Sequence, residues 1–148
     1  MSNAISDLEP VTQKLCRQLL AQWEARISHP IRVTHTLRSL DEQLRLWQQG
    51  GRLDGKVWVV VEPHRIVTKA QPGESAHNYG AAFDVCFIGP DPYLHAHEVS
   101  NKEPDPLWGA LGEVGENLGL EWGGSWHSFK DRPHFQNPSW KAFRDHHV

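Results

Sequence analysis

Two separated stretches hold the residue types from which a reactive site can be built. The first is Ser75-Ala-His77-Asn-Tyr-Gly80-Ala-Ala82-Phe-Asp84-Val. The second runs from Glu121 through Trp122-Gly-Gly-Ser-Trp126-His127-Ser-Phe-Lys-Asp131-Arg-Pro133-His134-Phe. Histidine is a common metal ligand and proton carrier, and a carboxylate on an otherwise apolar strand is costly unless something pairs with it. A divalent cation would pair with it. Gly80 permits a sharp reversal after His77, which brings that ring back towards Asp84. From the first stretch alone, a second account stands level with this one: Asp84 caps a loop and His77 lies on the surface.

The second stretch tips the balance. An acidic residue three positions before a histidine, in a turn that enters a strand, can place the histidine on a metal and the acid beside it. A hydrolytic zinc centre takes three protein ligands and leaves one position for water. His77, Asp84 and His134 supply two nitrogens and one oxygen, and Asp131 is left as a general base. Taken singly, Asp131 reads equally as an ion-pair partner of Lys130 or Arg132, and His134 as a satisfied strand histidine.

The elements needed to position these residues are legible. Val11, Leu15, Leu19, Trp23 and Ile27 recur every four residues and predict a helix over residues 7–28. Residues 31–35 alternate and read as a strand. Ser39-Leu-Asp-Glu42 is a capping-box pattern opening a helix that turns Leu40, Leu44 and Trp47 inward and ends at Gly50-Gly51. Residues 57–61 read as a strand, with a short further one at 66–68, and Pro72-Gly-Glu as a turn.

Residues 82–88 form the strand that carries Asp84. Its period of two sets Ala82, Asp84 and Cys86 on one face and Phe83, Val85 and Phe87 on the other, apolar face. Residues 89–105 make a long loop, a candidate lid. Leu107, Leu111, Val114 and Leu118 mark a helix capped by Gly119. Residues 134–136 are a final strand, and residues 138–147 a terminal helix packing Trp140 and Phe143. Helices flanking strands that need not be parallel define an α+β class, here with a small, mostly antiparallel sheet.

Composition excludes other classes. The 148 residues suit one domain, and a formal charge of −3 gives no basic field for nucleic acid. No window approaches the roughly 18 consecutive apolar residues of a membrane span. The opening residues lack a basic and apolar leader pattern, so synthesis in the cytoplasm is expected. Cys16 and Cys86, without a CxxC spacing, read as buried thiols.

The ten histidines and seven tryptophans are numerous enough to need sorting. His95 and His97 fall in the long loop, and His146 and His147 at the terminus. Trp23, Trp47 and Trp140 read as core. Trp122 and Trp126 flank the second stretch as cleft wall or core support, and His127 is a candidate substrate or ligand-supporting contact.

Ser75-x-His77-x-x-Gly80-x-Ala82-x-Asp84 followed by Asp131-x-x-His134 resembles the motif pair of the LAS metallopeptidases, the group named for lysostaphin, D-Ala-D-Ala peptidases and sonic hedgehog. The second stretch is most similar to the branch of phage endolysins and L-alanyl-D-glutamate peptidases. Val33-Thr34, Leu37-Arg38-Ser39 and Gln43 resemble that branch's strand–arginine–helix segment. The resemblance spans about residues 31–136. It implies the LAS fold, one zinc ion held by His77, Asp84 and His134, Asp131 as general base, Arg38 as the cation facing the developing oxyanion, and supporting roles for Ser75 and Gln43. Thr36-Leu37 stands where an aromatic is common before Arg-Ser, Val57 to Arg65 look like extra sequence, and His127 stands where another polar residue is expected.

The resemblance and the residues together lead to the expectation of a zinc peptidase acting on peptidoglycan stem peptides, most simply an L-alanyl-D-glutamate endopeptidase. A D-alanyl-D-alanine carboxypeptidase or dipeptidase would use the same groups. A zinc-containing binding module without catalysis is the reading of another class, and the presence of both Asp131 and Arg38 argues against it. The expected partner is the peptidoglycan peptide alone, with a monomeric chain, one domain, no separate wall-binding domain, and release to the wall by a phage pore-forming protein.

Overall fold

The computed structural model describes residues 1–49, 51–54, 57–60, 68–94 and 106–146. In chain order the elements are α1 (Pro10–Arg26), β1 (Ile31–His35), α2 (Leu40–Trp47), β2 (Gly51–Asp54), β3 (Val57–Val60), β4 (Ala82–Phe87), α3 (Pro106–Asn117), β5 (Glu121–Trp122), β6 (His134–Gln136) and α4 (Trp140–His146). A 3₁₀ turn, Ala76–Tyr79, precedes β4.

A four-stranded sheet in the order β1-β4-β6-β5 is antiparallel throughout, and β2 and β3 form a separate antiparallel pair. The expected α+β class is therefore the observed one.

One face of the sheet is the core. Phe83, Val85, Phe87 and Phe135 are fully buried there with Leu19 and Trp23 of α1 and Trp108, Leu111 and Val114 of α3. Phe83 and Phe135 stack at 5.7 Å across β4–β6, and Phe87 meets Trp108 edge-on at 4.7 Å. Burying each such side chain stabilises the fold by about 1.5–3 kcal/mol. Period-two alternation then obliges Asp84, His134, Gln136 and Glu121 to the opposite face, where the polar cluster lies.

Several local expectations need correction. In α1 the buried face is Thr12, Cys16, Leu19 and Trp23, and Val11 is 55% exposed. Counting large apolar residues misplaces the stripe by one position at the N-terminal end, because Thr12 is held inward by Glu9 and Asn137. In α2 the Ser39–Glu42 capping box is present, but Gln43 and Trp47 are buried whereas Leu40 and Leu44 are exposed. Gln43 goes inward because both ends of its amide find partners, Arg38 and the carbonyl of Ala70.

The helix ends at Trp47, and Gly51 opens β2, a strand the sequence does not announce. Thr68 is not in a strand, while Ile66 and Val67 lie outside the described residues, as do 95–105 of the expected lid. Trp140 and Phe143 pack, as expected, against a small core cluster of Ala76, Ala81 and Ala82, but Trp140 is only half-buried, stacked on Tyr79 with one side on the cleft.

Candidate active site

A cleft of about 830 Å³ opens over the polar face of the sheet. His35, Arg38, Ser75, His77, Asp84, Trp126, Asp131 and His134 are all on its walls.

His77 sits in the 3₁₀ turn, not on a strand. The Ser75 hydroxyl accepts from the His77 N–H, and Asn78 closes a capping box on Ser75. Gly80 ends the turn at φ 64°, and a Cβ there would stand 3.0 Å from both Asp7 O and Glu9 N. Only glycine suits a left-handed residue in that space. The turn thus delivers His77, 2% exposed, beside the strand it precedes. The carbonyl of His77 accepts from the Arg38 N–H at 3.0 Å, and Asn78 Nδ2 donates to Arg38 O at 3.1 Å, so the arginine segment and the histidine turn are one unit.

Strand register supplies the rest. Asp84 is paired directly with His134 across β4–β6 and with His35 across β1–β4. The Asp131 N–H donates to Gly123 O at 3.0 Å, and a Cβ on Gly123 would lie 2.2 Å from Asp131 O. The glycine at that position is what lets the Asp131 loop fold onto the Trp122 turn. The Asp131 carbonyl in turn accepts from the His134 N–H at 3.2 Å.

His77 Nε2 lies 3.3 Å and His134 Nδ1 3.1 Å from the same oxygen, Asp84 Oδ1. Ligand atoms of the three residues all lie within 4.8 Å of one another. The outer nitrogens are engaged elsewhere: His77 Nδ1 with the Thr36 carbonyl at 2.7 Å and His134 Nε2 with Gln136 Oε1 at 2.7 Å. A carbonyl only accepts, so His77 Nδ1 carries the proton and the Nε2 lone pair of the neutral ring points at Asp84. A carboxylate oxygen and imidazole lone pairs converging on one point repel each other unless a cation lies between them. The donor set, two imidazoles and one carboxylate, fits a zinc ion with an open position.

Protons on the rings can take the place of that cation. Burial pushes the Asp84 carboxyl up, but the charge of His77 in its protonated form and the hydrogen bonds that His134, His35 and His77 then donate outweigh it and hold the group well below its usual range. Burial pushes His134 down, yet the hydrogen bond and charge of Asp84, with the charge of Asp131, raise it above its ordinary value. Burial likewise lowers Arg38, against the opposing pull of Asp84, Glu42 and Asp131. Arg38 Nη1 donates to Gln43 Oε1 at 2.9 Å, and Arg38 Nε is buried without a hydrogen-bond partner among the described residues.

The other sequence candidates divide. Trp126 is a wall of the cleft, its ring 5.2 Å from that of His134. Trp122 is core support, its Nε1 donating to Arg132 O at 2.7 Å. His127 is exposed and is not among the residues lining the cleft.

His35 escapes a reading of the sequence. Its Nδ1 lies 3.4 Å from Asp84 Oδ2. Simple alternation groups His35 with Ile31 and Val33, which pack on the core, but a register shift between Val33 and His35 turns the ring to the other face. Gln136 and Glu121 escape it too. Their signal is present, since period two from His134 reaches Gln136, but the pairing of Gln136 with Glu121 requires the sheet order.

Known proteins place this arrangement. A family model described as D-alanyl-D-alanine carboxypeptidase matches residues 68–137. The peptidoglycan L-alanyl-D-glutamate endopeptidase CwlK of Bacillus subtilis (strain 168) is 34% identical over 133 residues, covering 88% of this chain and 74% of CwlK. Among solved structures, the L-Ala D-Glu endopeptidase ChiX of Serratia marcescens superposes with a TM-score of 0.59 at 21% identity, covering 93% of this chain and 86% of ChiX. VanYB in complex with D-alanine-D-alanine gives a TM-score of 0.61 at 13% identity, covering 92% of this chain and 74% of that one. These two share the fold, and the likeness to CwlK extends through the sequence along most of both chains. The protein belongs to the LAS-type zinc metallopeptidase family.

Proposed function

We propose that the protein is a zinc-dependent endopeptidase that hydrolyses the L-alanyl-D-glutamate bond of peptidoglycan stem peptides. The observation that carries this reading is the convergence of His77 Nε2, Asp84 Oδ1 and His134 Nδ1 in a cleft that also presents Asp131 and Arg38. The bond assignment follows the activity of CwlK, the relative at 34% identity.

His77, Asp84 and His134 would hold the ion. Zinc bound there supplies a Lewis acid and acidifies water to a pKa of about 7. Asp131 accepts the proton of the attacking water and returns it to the leaving amine. Arg38, anchored through Nη1 by Gln43, faces the cleft as the cation for the developing oxyanion. Ser75 acts indirectly, by fixing the turn that aims His77. Trp126 shapes the wall on the His134 side.

A D,D-carboxypeptidase is the second reading, supported by the description of the matching family model. Digestion of purified cell walls by chelator-stripped and zinc-loaded protein separates the two. New amino termini on glutamate in the loaded sample are the expected result, and free D-alanine instead would transfer the assignment to the carboxypeptidase. No product in either form would sink the peptidase reading altogether.

A further inference from the structure

A second line of polar contacts starts at His134 and leads away from the ligand cluster. His134 Nε2 is 2.7 Å from Gln136 Oε1. Gln136 Nε2 donates to Glu121 Oε2 at 2.7 Å, and Trp126 Nε1 donates to the same oxygen at 3.1 Å. Residues two apart on β6 share a face, and Glu121 is the cross-strand partner of Gln136, so sheet register alone sets the row.

The polarity of this row is fixed from its outer end. An ionised carboxylate only accepts, so Gln136 turns its NH₂ to Glu121 and its carbonyl to His134. That carbonyl also only accepts, so His134 Nε2 donates. In the neutral ring the lone pair is then left on Nδ1, the atom 3.1 Å from Asp84.

We propose that Gln136 and Glu121 are positioning residues that fix the ring orientation and tautomer of His134 for metal ligation through Nδ1. Trp126, held by the same carboxylate, ties one wall of the cleft to this row. The inference rests on the zinc reading above. An acceptor on the far nitrogen of a ligating imidazole makes it a better donor, and loss of such a partner typically weakens metal binding about 10- to 100-fold. Gln136 is 9% exposed, which leaves water little room to replace it.

The test is zinc affinity of the whole chain, measured by competition with a chromophoric chelator, with melting in excess chelator as the check on folding. Gln136→Leu is expected to bind zinc about 10- to 100-fold more weakly. Gln136→Glu alone is also expected to weaken binding, since two carboxylates then face each other. Combining Gln136→Glu with Glu121→Gln exchanges the two groups and keeps the polarity. The carboxylate introduced at position 136 accepts from His134 and from the amide introduced at position 121, so affinity returns to near that of the parent.

Affinity within about twofold of the parent in Gln136→Leu would overturn the proposal, as would an exchanged pair no better than Gln136→Glu alone. If Gln136→Leu does not fold, the comparison of Gln136→Glu with the exchanged pair decides it. Parent protein that binds no zinc would overturn the zinc reading itself, and this inference with it.

Discussion

Asp84 and His134 are fifty residues apart in the chain and directly opposite each other across β4–β6, with Oδ1 and Nδ1 3.1 Å apart. His77 Nε2 closes on the same oxygen from a 3₁₀ turn. The site is thus a product of sheet register and one glycine-ended turn. The functional consequences can be separated residue by residue.

Ligation and proton transfer separate first. His134→Ala removes one of three donors and is expected to abolish both stoichiometric zinc and hydrolysis. Asp131→Ala leaves His77, Asp84 and His134 in place, so zinc is retained while turnover falls by about 10²- to 10⁴-fold, the usual size of a general-base contribution. Metal analysis beside a peptide-cleavage assay checks both, and parent-like turnover by Asp131→Ala would remove it from the mechanism.

Arg38 is expected to act on the rate. Arg38→Ala should lower kcat by about 10²- to 10³-fold, the cost of removing one oxyanion donor. Zinc content should be unchanged, because the His77–Asp84–His134 contacts do not run through the guanidinium. A rise in KM with kcat intact would show instead that Arg38 only binds the ground state.

Gly80→Ala tests the turn. The residue is left-handed, and a Cβ would come within 3.0 Å of backbone atoms of Asp7 and Glu9, which cannot swing away as a side-chain tip can. The left-handed angle alone costs about 1–2 kcal/mol, so the melting temperature should fall. Zinc affinity should fall with it, because the turn sets the approach of His77. A lower melting temperature with unchanged zinc affinity would uncouple the turn from the site.

Stability of the metal-free protein should depend on pH with opposite signs on its two limbs. Asp84 is depressed below its ordinary 3.8, so its contribution is present above about that pH and is lost as pH falls through the depressed value. His134 is raised above 6.5, so its contribution is full below 6.5 and is lost as pH rises through the raised value. From this pair, the chelator-treated protein is therefore most stable between the two. Zinc requires the neutral imidazole and should reverse the alkaline limb. Thermal melts across pH with chelator and with zinc measure this, and identical profiles would show that no cation enters the cluster.

The sequence by itself determined the alternation of β4, and with it the opposite faces of Asp84 and Phe83. It also determined the capping box at Ser39, the left-handed position of Gly80 and the spacing of Asp131 and His134. These are local properties, decided by side-chain chemistry within a few residues. Family resemblance added the role expected of Arg38.

The tertiary structure decided which strands are neighbours. The order β1-β4-β6-β5 sets His35, Asp84 and His134 in one cross-strand row and pairs Gln136 with Glu121. It also turned Gln43 inward and Leu40 outward, because a buried amide with both partners met is tolerated and an apolar stripe with nothing to pack against gains nothing by its pattern. The shift between Val33 and His35 could not be read from alternation, since a bulge inserts one residue into a period of two and reverses every face after it.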